Sequence, residues 1–107
     1  MVQPAPIQFP MRHNEAQKIV RDRAADSSNV IIGDHAHQRM CERGISDIDV
    51  YRILREGEVE GEPTKTEQGE WKVKVCKRLK GNRDAGVVTI ILHNNGLFVK
   101  TVEWEDI

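Results

Sequence analysis

Hydrophobic spacing divides the chain into a helical first half and an extended second half. From Arg12 to about Ala25, the apolar positions Ala16, Ile19, Val20 and Ala24 recur at helical spacing, which predicts an amphipathic first helix. The Asp26-Ser27-Ser28-Asn29 cluster ends it. Val30-Ile31-Ile32 is too short for a helix and reads as a brief extended stretch or an apolar linker ending at Gly33. Asp34 is a natural N-cap for a short helix to Arg43, with Gly44 as the left-handed C-cap. A third helix is capped by Ser46 and carries Asp47 and Asp49 in its first turn, where the helix dipole favours negative charge. It ends near Glu56-Gly57, with Ile48, Tyr51 and Leu54 as its expected buried face.

Beyond Gly57 the period becomes that of strands. Trp71-Lys72-Val73-Lys74-Val75 alternates, so Trp71 is expected on the core side with the valines. Val87 to Leu92 is a continuous, largely β-branched run suited to a central strand, and Leu97 to Trp104 mixes apolar and polar positions. Phe98 and Tyr51 are expected in the core. Asn94-Asn95-Gly96 predicts a hairpin turn, because Asn and Gly accept the positive φ such turns use. Residues 58–66 form a candidate edge strand with Pro63 at its end. Residues 1–11 hold three of the four prolines and no charged side chain, and read as a tail. The prediction is one α+β domain over residues 12–107, with N-terminal helices packed on a three- to four-stranded antiparallel sheet.

With 107 residues there is room for one core, and so for one site. Sixteen Lys and Arg against seventeen Asp and Glu remove the signature of a strongly basic nucleic-acid binder. The balance is local, however. Residues 56–70 hold six acids and one base, whereas residues 71–102 hold seven bases and one acid. A basic sheet beside an acidic strand and the acidic Glu103-Trp104-Glu105-Asp106 end creates a field that favours phosphate. The same alternation also serves simply to keep solvated strand faces soluble. Two cysteines, 35 positions apart and with no signal-peptide pattern ahead of them, predict a reduced, cytoplasmic chain. No apolar run approaches the roughly 18 residues of a membrane span.

The segment richest in chemistry is Asp34-His-Ala-His-Gln-Arg-Met-Cys-Glu-Arg-Gly-Ile-Ser46. On a helix His35, Arg39 and Arg43 fall at about 0°, 40° and 80°, and Ala36 and Met40 follow at about 100° and 140°. The polar stripe therefore borders the buried one. Such placement restrains a His and two Arg for proton transfer and for holding an anion. The plainer alternative pairs Arg39 and Arg43 with Asp47 or Asp49 and packs His35 under the sheet. A metal is the other competitor, since Asp34, His35, His37 and Cys41 are all ligand types. His35 and His37 are about 160° apart on a helix and cannot converge on one ion. His37 and Cys41 would need Cys76, His93 or His13, and no spacing announces them, so neither metal nor cofactor is expected. Cys41 and Cys76 read as small, half-buried fillers.

His35-Ala-x-x-Arg-Met-x-x-Arg-Gly-Ile-Ser46, an acidic helix, Gly69-x-Trp-Lys-Val73 and Val99-x-Thr-Val102 together resemble a bacterial domain family catalogued mainly as of unknown function. Its members are often predicted to be RelE-like toxins of toxin–antitoxin loci, within the barnase–EndoU–colicin–RelE group of ribonuclease folds. The resemblance covers about residues 14–105. It implies helices on a curved antiparallel sheet, RNA across the exposed sheet face, and cleavage without metal by attack of the ribose 2′-hydroxyl. In that scheme His35 is the base or acid, Arg39 clamps phosphate, Lys77 or Arg78 stabilises the transition state, and Thr101 contributes a hydroxyl. Arg43, Trp71, Lys72, Lys74, Lys80 and Arg83 would contact RNA, Trp71 by stacking. The implied partners are RNA, free or on the ribosome, and a cognate antitoxin covering the sheet, with no membrane and no DNA for this chain alone. The alternative is a non-catalytic module that recruits a protein through Glu58–Glu62 or Glu103–Asp106.

Overall fold

The computed structural model describes residues 11–106, apart from the side chain of Lys80. Residues 1–10 of the expected tail lie outside the described residues. Met11, its last residue, is instead a core side chain, 1% exposed.

Three helices precede most of the sheet: α1 (His13–Ala24), α2 (Asp34–Arg43) and α3 (Asp47–Glu56). Their ends follow local chemistry. Gly44 closes α2 at φ 68°, a left-handed conformation that glycine adopts without penalty. Ser46 and Asp49 form a reciprocal capping box at the start of α3. The N-cap of α2 is Gly33, one residue earlier than expected. On α3 the buried residues are Val50, Ile53 and Leu54, while Ile48 is 71% exposed. The i, i+3, i+4 set makes a tighter apolar stripe than 48, 51 and 54, so the helix turns that way.

Five strands follow the order β1-β5-β4-β3-β2, where β1 is Val30–Ile32, β2 Glu58–Lys65, β3 Trp71–Leu79, β4 Arg83–Ile91 and β5 Leu97–Trp104. The α+β class is as expected, but the sheet has five strands and is mixed. The short apolar stretch 30–32 is a true strand, parallel to β5 at the sheet edge. Its partner lies more than sixty positions away, which no local pattern reveals. In β2, Pro63 lies inside the strand, at a register shift that also holds Gly61 at φ 71°. The irregularity accommodates the missing N–H. The β4–β5 connection closes with Leu92 N–H donating to Gly96 O, yet Gly96 does not have a positive φ. The turn is closed locally instead by Gly96 N–H donating to Asn94 Oδ1 (2.6 Å).

The helices cover one face of the sheet. Ala16, Val20, Ala36, Met40, Val50, Ile53 and Leu54 join the inward strand residues in a single core. α1 is tied down by Arg21 Nη2 to Gly57 O (2.8 Å) and Arg23 Nη1 to Leu92 O (2.8 Å). α3 approaches β3 so closely at Gly57 that a Cβ would fall 2.6 Å from the Cys76 carbonyl. α2 runs beside β5 in the same direction. Gly33 N–H donates to Val99 O at its start, and at its end Arg43 Nη1 donates to Val102 O while Trp104 Nε1 donates to Arg43 O.

One irregularity in β5 decides which of its side chains reach each face of the sheet. Thr89 pairs with Val99 and Val88 with Thr101, which leaves Lys100 as an extra residue, a β-bulge. Before it the odd positions Leu97 and Val99 face the core; after it the even position Val102 does. The buried Thr89 hydroxyl donates to Phe98 O (3.0 Å) beside the bulge. Among the described residues, no helix is long and apolar enough to cross a membrane.

Candidate functional site

Among the described residues no helix lies on the other sheet face, and the strand register arranges its side chains in rows. The first row reads Ile31, Phe98, Ile90, Lys72, Thr64, and the second Thr101, Val88, Lys74, Glu60. A third holds Glu103, Gly86, Cys76 and Glu58, and beyond it Arg78 faces Asp84. The face therefore passes from apolar to charged along the strands. Ile31 is 52% exposed, and Phe98, Ile90 and Val88 are half-buried. The β4 run is the central strand of the sheet, as its composition predicts.

The charged end is closed on itself. Lys74 Nζ lies 2.6 Å from Glu105 Oε1 and 3.5 Å from Glu103. Burial opposes the charge of Lys74, but the Glu105 hydrogen bond and the two carboxylates outweigh it and raise its pKa. Cys76 Sγ is 3.5 Å from Glu60 and 3.6 Å from Glu105. Burial, then the negative charges of Glu105 and Glu60, push its thiol up to about 12. Gly86 makes this possible, because a Cβ there would come within 2.8 Å of both Glu105 Oε2 and Lys74 Cε. Glu60, Cys76 and Glu105 are metal-ligand types within 4.8 Å of one another, a grouping of β2, β3 and the turn after β5 that linear spacing does not announce. The Lys74 ammonium is already the counter-ion of this group.

The expected catalytic set is not brought together. His35 lies exposed in the first turn of α2, level with Val99 of β5. Lys77 and Arg78 align with Ala85 and Asp84, toward the Trp104 end of β5 and two strands across, roughly 15–20 Å from that level. Neighbours on one strand, they also point to opposite faces: Lys77 pairs with Glu56 on the helix side (3.6 Å), and Arg78 with Asp84 (3.1 Å). They cannot serve one transition state with His35.

Several expected RNA contacts have structural partners instead. The Arg43 guanidinium holds the β5 edge through Val102 O. Arg83 forms a bidentate pair with Asp106 (2.9 Å) and stacks 4.2 Å from the centroid of Trp104. Trp71 is half-buried on the helix side, with Lys65 Nζ 5.7 Å from its centroid, which removes it from the open face. Lys74 belongs to the charged end. The side chain of Lys80 lies outside the described residues. Arg39 pairs with Glu42 at 2.6 Å on the outer surface of α2, and the Arg39 hydrogen bond lowers the Glu42 pKa. Of the two expected fillers, Cys76 is half-buried but Cys41 is exposed.

What remains at this end of the sheet is His35 and Thr101, with Lys72 two strands across on the same open face, and two residues that sequence reasoning missed. Phe98, expected in the core, is on the open face because the bulge resets the alternation after it. Its ring rests on Gly33: a Cβ there would lie 2.6 Å from Phe98 Cζ. Lys100, the bulge residue, is exposed. Among the described residues Lys72 and Lys100 form no ion pair. The signal for Phe98 lay in its neighbours, since Leu97 and Val99 are both apolar and cannot share a face with it. No curated protein and no solved structure matches the chain. Residues 32–104, from the end of β1 through the last strand, match a described family, and the chain belongs to it: the domain of unknown function DUF4258.

Proposed function

We propose that this chain is a metal-independent endoribonuclease of the RelE-like toxin type, acting in the cytoplasm at the junction of α2 with the apolar end of the open sheet face. The observation that carries the reading is an exposed imidazole, His35, in the first turn of α2 at the end of the sheet where, among the described residues, Lys72 and Lys100 have no acidic partner. His35 takes the proton of the attacking ribose 2′-hydroxyl. The 2′-oxygen bonds to phosphorus, the bond to the 5′-oxygen breaks, and that oxygen takes its proton from water. Lys100 neutralises the crowded phosphate, Lys72 holds a neighbouring one further across the sheet, and Thr101 donates a hydrogen bond. Arg39 joins them by exchanging Glu42 for phosphate, an exchange of one exposed ion pair for another. A cognate antitoxin is the expected protein partner.

A second reading, a non-catalytic protein-binding module, is favoured by one observation: Arg39, Lys74, Lys77, Arg78 and Arg83 all have acidic partners within the chain. Incubation of the purified protein with RNA in EDTA separates the two. Cleavage that is reduced about 100-fold or more in His35→Ala, with the thermal midpoint unchanged, is the expected result. RNA left intact by the wild-type protein, or cleaved equally by the variant, would sink the ribonuclease reading.

A further inference from the structure

We infer that the ring of Phe98 is a stacking platform for an unpaired base of single-stranded RNA, with Lys72 and Lys100 receiving the flanking phosphates. The inference takes its ligand from the ribonuclease reading and adds the subsite that holds it.

The ring's position is fixed by the backbone. With Cζ 2.6 Å, Cε1 3.2 Å and Cε2 3.3 Å from where a Gly33 Cβ would be, the far end of the ring lies across the strand junction. It reaches from β5 to the residue that begins α2, two positions before His35. A half-buried ring on the open sheet face can present its exposed part to a base, and base–aromatic stacking needs little else. Ile31 and Ile90 flank it in the same row and extend the apolar bed.

Charge selects the ligand. The first row contains no acid, and its cation Lys72 lies two strands from Phe98, about 10 Å away. Lys100 is two residues along the chain from the ring. An apolar ring flanked by cations that have no acidic partner among the described residues complements a base between phosphates. At the other end of the face Glu58, Glu103 and Glu105 repel a polyanion, which confines the strand to the end beside His35. A protein would bury the same apolar side chains, but it would not need those cations unopposed.

Fluorescence anisotropy with a short 2′-O-methyl RNA, which lacks the attacking hydroxyl, tests the platform separately from the chemistry. Phe98→Leu is expected to weaken binding about 5- to 100-fold, and Phe98→Trp to bind within about twofold of wild type. Thermal midpoints of both variants identify any loss by unfolding, and Phe98→Trp keeps the test decisive if the leucine variant fails to fold. A DNA oligonucleotide of the same sequence is expected to bind more weakly; equal or tighter binding of DNA overturns RNA as the ligand. If Phe98→Leu folds and binds like wild type while His35→Ala abolishes cleavage, the platform is wrong and the ribonuclease reading stands. If binding depends on the ring but His35→Ala cleaves normally, the platform stands and the catalytic reading falls. A wild-type protein that binds neither oligonucleotide overturns both and leaves the apolar row to a protein partner.

Discussion

The two ends of the open sheet face are built in contrasting ways. At the Glu103–Cys76–Glu58 end Lys74 is held by Glu103 and Glu105 and Arg78 by Asp84, and Gly86 leaves the space in which Glu105 and Lys74 meet. At the Ile31–Phe98–Ile90 end apolar side chains remain partly in water and two lysines lack acidic partners. The difference separates two jobs that share one residue type. Lysines engaged within the fold contribute to its stability; lysines without such partners are available to something outside it. The basic excess over residues 71–102 is thus mostly internal, and the local field it suggests is much smaller than its count.

Experiments at each end can test whether the contrast holds. The largest expected effect is on the reactivity of Cys76. The thiolate is the reacting form, and a thiol moved from 9.0 up to about 12 has about a thousandfold less of it at pH 8. Alkylation followed by mass spectrometry is expected to modify the exposed Cys41 first by a wide margin. Comparable rates at both cysteines would mean that the charged end is open. Next comes Lys74→Met, which leaves Glu103 and Glu105 facing each other and is expected to cost about 1 kcal/mol in urea unfolding. The sign with pH follows from the raised pKa of Lys74. Its contribution is complete below the ordinary lysine pKa of about 10.4 and is lost as pH rises through the higher folded value. Alkaline destabilisation should therefore be weaker in the variant than in wild type. The smallest effect belongs to Ile31→Ala at the apolar end, expected within about 0.5 kcal/mol of wild type. By contrast, Leu54→Ala in the core under the same sheet should cost about 2–5 kcal/mol.

Elements governed by near neighbours could be read from the sequence. The capping box of Ser46 and Asp49, the Gly44 stop and the span of α1 depend on residues within one or two turns. What escaped depended on distant partners. Val30-Ile31-Ile32 becomes a strand only because β5 offers it a parallel edge. Lys77 and Arg78 appear close to the site when basic residues are simply counted, but strand order puts two strands and half a strand length between them and His35. The motif itself was only half informative. His35 remains available, whereas Arg43, which falls beside it on the same helical stripe, is consumed by a β5 carbonyl. Periodicity cannot distinguish an arginine that reaches solvent from one that caps an exposed strand edge.

The bulge at Lys100 has a genetic consequence. Its side chain is exposed and its backbone supplies one extra step, so the fold accepts many substitutions at this position yet no deletion. Removing that one residue would restore strict alternation and turn Val102 and Trp104 outward. The Trp104 bond to Arg43 and the acceptor at Val102 would be displaced together. Reading-frame-preserving loss of a single codon would therefore do more harm to the fold here than side-chain changes at the same codon.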